Sequence, residues 1–122
     1  MAFTIQLGMS MVGDNNAFSR KVDNQSITTT GSHIDHRIMN IGTTEETIDI
    51  NADILAGSDP GLCLIFNKDA TNYVQIGPAT TVYQMQVPAS RFCILWLNAA
   101  ATQIFMKANT AACDVEFWII ER

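Results

Sequence analysis

Residues 99–113, AAATQIFMKANTAAC, decide the fold. Their alanines favour a helix, because alanine has the highest helix propensity. Thr102, Ile104, Phe105, Asn109 and Thr110 oppose it, and the apolar positions do not recur at a 3.6-residue spacing. The stretch therefore reads as a hairpin. Asn98 to Thr102 turns the chain, Gln103 to Ala108 returns it as a strand, and Asn109 to Ala112 turns it again. With the helix gone, nothing else in the chain asks for one.

The same reading extends outward. Downstream, Asp114 to Ile120 is a closing strand. Upstream, Phe92 to Leu97 and Leu62 to Phe66 are wholly apolar, the pattern of strands covered on both faces. Between these two runs lie a turn at Asn67 to Asn72, a short strand Tyr73 to Ile76 stopped by Gly77-Pro78, and a strand Thr80 to Val87 ended by Pro88. Gly57-Ser58-Asp59-Pro60-Gly61 is a strong turn signal. Before it, Thr47 to Ile54 alternates with Ile48, Ile50, Ala52 and Ile54 inward. His33 to Ile41 is a strand with Ile34, His36, Ile38 and Asn40 on one face and His33, Asp35, Arg37, Met39 and Ile41 on the other.

Ser26 to Thr30 is a further strand, and Phe3 to Met11 alternates with its odd positions inward. Gly13 to Ser26 loses the pattern and reads as a long loop, well beyond the usual ~4–6 residues. Residues 1–12 thus form a candidate N-terminal arm that reaches a neighbouring subunit. The expectation is about eight to ten short antiparallel strands in one all-β domain over residues 1–122, a β-sandwich or jelly roll.

Composition narrows the function. The chain is 122 residues long, 48% hydrophobic and only 16% charged, against roughly 25% charged in an ordinary soluble domain. Thr, Asn, Ser and Gln fill the polar positions. A surface so poor in charge suits coverage by partners. Net charge is −5. Eight of the twelve acids precede Leu62, and no basic patch appears, which argues against nucleic acid. No apolar run approaches the ~18 residues of a membrane helix, and no secretory signal pattern is visible. Cys63, Cys93 and Cys113 lie far apart in apolar contexts and read as buried thiols in a reducing compartment.

Candidate chemistry is sparse. His33 and His36 have an odd spacing, so a strand sends them to opposite faces and denies them a shared metal. Glu45, Glu46, Asp49, Asp53 and Asp59 lack calcium-loop spacing and the form of a glycosidase pair. No nucleophile elbow, phosphate loop or zincin motif occurs, so no enzyme, cofactor or small-molecule substrate is expected. Trp96, Trp118, Tyr73, Tyr83 and Phe105 raise the alternative of a sugar platform. Trp96 and Trp118 are read instead as core. Phe3, Ile5, Leu7, Met9 and Phe105 are the candidate contacts with a neighbouring subunit or other partner.

Two longer stretches carry a resemblance. IGTTEETIDI (41–50), with the Gly/Asp turn after it, and LIFNKDATNYVQIG (64–77) resemble a pattern in small virion proteins of tailed phages. PASRFCILWLN (88–98) is similar to their turn followed by an apolar strand, and IFMKANTAACDVEFWIIE (104–121) to their closing hairpin. The resemblance covers residues 41–122. It implies a jelly-roll or sandwich structural protein, best matched by capsid decoration (cement) proteins. These are made in the host bacterial cytoplasm, bind the outer head surface as homotrimers and lock neighbouring major capsid protein subunits together. The family has no catalytic residues to carry over. The same sandwich serves in tail and head-fibre parts, and a carbohydrate-binding module is the further alternative.

Overall fold

Among the described residues the chain forms ten strands, all paired antiparallel, and most of them alternate apolar and polar residues. The structure is a computed structural model that describes residues 4–12, 19–29, 31, 33–50 and 59–122. The chain divides into two compact units, Met1–Ser32 and His33–Arg122, where the sequence reads as one domain.

The first unit is a two-stranded ribbon, β1 (Thr4–Val12) with β2 (Ser19–Thr28). Ile5 pairs with Ile27 and Met9 with Val22, with an irregularity between Leu7 and Met9. The expected loop over 13–26 is therefore corrected, because residues 19–26 are strand. They are too polar to show apolar alternation, but backbone pairing with β1 needs none. Phe3 and the rest of the expected loop, residues 13–18, lie outside the described residues.

The second unit is a sandwich. Its eight strands are β3 (Ile34–Ile41), β4 (Glu46–Asp49), β5 (Pro60–Asn67), β6 (Val74–Gly77), β7 (Met85–Val87), β8 (Phe92–Trp96), β9 (Gln103–Ala108) and β10 (Cys113–Glu121). One sheet has the order β3-β10-β5-β8 and the other β4-β9-β6-β7. The strands alternate between sheets except at the β6–β7 hairpin, which is the jelly-roll order. The expected strand count and all-β sandwich class are both observed.

Inner faces meet as predicted by period two. Ile41, Cys63, Ile65, Val115, Phe117 and Ile119 from one sheet face Ile48, Val74, Ile76, Val87, Ile104 and Met106 from the other. Ala52 and Ile54 lie outside the described residues. Among the described residues of this unit, Asn67 is the buried polar side chain. It is satisfied: Nδ2 donates to the carbonyls of Asn72 (2.8 Å), Val87 (3.2 Å) and Pro88 (3.3 Å), and Oδ1 accepts from Asp69 N–H (3.0 Å). Asp69 then accepts from the Thr71 and Asn72 N–H groups, and these bonds hold its carboxyl below the usual range. The turn after β5 is thus fixed by two side chains.

Three expectations change. The strands around residues 99–113 stand where predicted but do not pair: β9 lies in the opposite sheet from β8 and β10. Ile104, Met106 and Ala108 face the core from the far sheet, so both turns cross the sandwich edge. The strand expected over 80–87 is confined to Met85–Val87, because the segment before it crosses its own sheet. A Cβ on Gly77 would sit 1.5 Å from the Val82 carbonyl oxygen, so only glycine allows that crossing. Finally, β8 is an edge strand, not one covered on both faces.

Candidate functional site

Two wholly apolar strands put the question of what their second faces cover. In the sheet β3-β10-β5-β8, the inner positions are in the core and the outer ones form rows across the strands. The first row is Ile38, Glu116, Phe66 and Phe92; the second is His36, Trp118, Leu64 and Ile94; in the third, Ile34 pairs with Ile120 and Leu62 with Trp96, either side of a register shift between β10 and β5. Leu62 and Ile120 are buried. Phe92 is 66% exposed, Trp96 53% and Trp118 40%, and Ile34, Ile38, Phe66 and Ile94 are exposed with them. Between Phe66, Phe92 and Trp118 the face dips into an open depression of about 210 Å³. The reading of Trp96 and Trp118 as core is therefore overturned. Their strand parity opposes that of Phe117 and Leu95, which already fill the inner face.

One polar cluster interrupts the apolar rows. The His36 ring stacks on Trp118 with centroids 3.9 Å apart and planes 20° from parallel. Glu116 Oε1 accepts from His36 Nε2 (2.9 Å) and from Trp118 Nε1 (3.3 Å). Lys68 Nζ lies 3.9 Å from Oε2. The bond from His36 holds the Glu116 carboxyl below its usual range, against a smaller opposing push from burial. The one acid of the three rows thus has its partners on its own face. Polar pairs stand at the two ends: Asn40 Nδ2 donates to Asp114 Oδ1 (2.9 Å), and His33 bonds Glu121 (3.0 Å). An apolar centre with a polar rim is the anatomy of a protein interface.

The other sheet turns a different face outward. Thr47, Asp49, Gln75, Gln86, Gln103 and Lys107 alternate with its core positions. Phe105 lies on this face, half-buried between Thr47 and Gly77. The crossing segment is tied down by Glu45, which accepts from Thr81 N–H (2.7 Å) and from the Tyr83 hydroxyl. The bond to Tyr83 lowers the Glu45 carboxyl and pushes the phenol up to about 12.

The expected contact residues fall on different elements. Ile5 and Leu7 are half-buried and Met9 is 51% exposed on the ribbon, while Phe105 belongs to the sandwich. Phe105 is on the opposite sheet from the bare aromatic face, which the sequence reading missed. Its signal was present in FCILW, where an apolar residue at every position fits an edge strand with a core face and a docking face as well as a covered central strand. Among the described residues no group of three or more His, Cys, Asp or Glu is placed to hold a metal, and no helix is long and apolar enough to cross a membrane. Comparison of the chain with known protein families, with curated proteins and with solved structures finds no match.

Proposed function

We propose that this chain is a virion structural protein of a tailed phage, of the capsid-decoration type. It binds the outer head surface as a homotrimer and clamps neighbouring major capsid protein subunits. The observation that carries the reading is a jelly-roll sandwich with one bare aromatic and aliphatic face, a surface for docking rather than for chemistry. The jelly roll is an architecture of capsid and lectin domains, which supports the class by analogy of fold. The resemblance over residues 41–122 points the same way. Mechanically, each trimer touches several capsid subunits, so weak single contacts add through effective concentration. Cryo-electron microscopy of the virion tests it. Trimeric density on the outer head surface is expected; absence from the head, or presence in the tail alone, overturns it.

A second reading draws on the exposure of Trp96 and Trp118. Exposed aromatic rings are what a carbohydrate-binding module presents to sugar faces. Sugars also need free polar side chains around the ring; those beside Trp118, His36 and Glu116, are bonded to each other, and Trp96 is paired with Leu62. A glycan array separates the two: binding that disappears in Trp118→Ala would favour the sugar reading.

A further inference from the structure

We infer that the bare face of the sheet β3-β10-β5-β8 is where copies of this chain bind one another. The copy number, three, rests on the virion reading above; the choice of face and occupant does not.

The exposed area fits such an interface. The large apolar side chains left bare on this sheet present on the order of 700 Å², close to the ~800 Å² per partner of a specific, stable complex. It exceeds the ~300–600 Å² of the largest patch on a typical monomer. Such a surface needs a partner as soon as the chain folds, and a second copy is the partner present at that moment.

Charge selects the same occupant. The chain carries −5, so two copies repel wherever their acids face each other. On this face the two acids are both bonded within their own chain, Glu116 to His36 and Trp118 with Lys68 nearby, and Asp114 at the end of the sheet to Asn40. The apolar rows therefore offer an identical copy a surface whose carboxylates are already engaged at home, with Asp114 kept to the rim. An interface to a basic partner would instead leave acidic groups open to it.

The chain contains its own reporter, because its two tryptophans, Trp96 and Trp118, both lie here. The test is sedimentation velocity of the full chain over a dilution series, with acrylamide quenching of fluorescence at each concentration. Association on this face shields both indoles, and quenching is expected to rise severalfold on dilution to the monomer. Phe92→Thr and Trp96→Thr keep β-forming residues on an exposed edge and are each expected to weaken association by about 30-fold or more. Gln86→Glu, on the other sheet, is expected to leave it unchanged. A wild-type chain that stays monomeric overturns the inference. So does association with unchanged quenching, a result that needs no variant to fold, and so does association that survives Phe92→Thr and Trp96→Thr. Each of these leaves the virion reading to be judged by the cryo-electron microscopy of the head.

Discussion

The two outer faces of the sandwich are built by the same rule and end in opposite states. Each sheet has four strands, and each turns Ile, Val and Phe or Met inward. On β4-β9-β6-β7 the outward positions are polar apart from the half-buried Phe105, and the segment between β6 and β7 crosses the sheet at Gly77. On β3-β10-β5-β8 the outward positions are Ile, Phe and Trp, and the described aromatics stand open. The difference teaches that burial in this chain follows strand parity and coverage, not hydrophobicity alone. One face was finished by its own loop. The other leaves its aromatic rings in water.

The strongest way to break the comparison is to remove what both faces share. Phe117 is buried at the centre of β10. Phe117→Ala is expected to cost about 4 kcal/mol in denaturant unfolding and to loosen both sheets together. Gly77→Ala should cost about 3 kcal/mol by overpacking, and it strikes the covered face alone. Loss of hydrogen-exchange protection at Thr81, with protection at β10 kept, would confirm that locality. Trp118→Ala should cost only about 2 kcal/mol, less than a fully buried aromatic, because part of the ring is in water. A cost near 4 kcal/mol, measured on the monomer, would make Trp118 a core residue and erase the contrast.

Acid sharpens it further. The carboxyls of Glu116 on the bare face and Glu45 on the covered face are both held below the ordinary value of 4.5. A lowered carboxyl adds stability that is whole above the ordinary value and lost as pH falls through the lowered one. The Tm is therefore expected to drop on acidification below about pH 4.5. Glu116→Gln should flatten part of that slope and Glu45→Gln another part. The smallest effect belongs to Gln86→Ser on the polar face, within about 0.5 kcal/mol by the same unfolding measurement.

Much of the fold was legible in the sequence because period-two patterning is local. Ile48 and Ile50 could be assigned inward from their neighbours alone, and both are in the core. The ribbon strand β2 could not, since Asp23, Asn24, Gln25 and Ser26 carry no apolar alternation. The sheet switches of β8, β9 and β10 were also hidden. A tight turn reads the same whether the chain returns beside its predecessor or crosses to the facing sheet. The candidate site was harder still. Nothing in FCILW distinguishes a covered central strand from an edge strand whose outer side is bare, because only the strand order in space decides it.

The three thiols have a consequence for lifetime. Cys63, Cys93 and Cys113 sit on three strands of one sheet, all turned toward the core. Burial, with a lesser effect from Cys93, pushes the Cys63 thiol up to about 12, and burial raises the other two as well. The thiolate is the reactive form, so the closed sandwich resists alkylation and oxidation. Each opening of the sheets exposes all three at their ordinary reactivity, and modification then blocks reclosure around them. In an oxidising medium the protein's survival is thus set by how often it opens, and the rate of thiol labelling counts those openings directly.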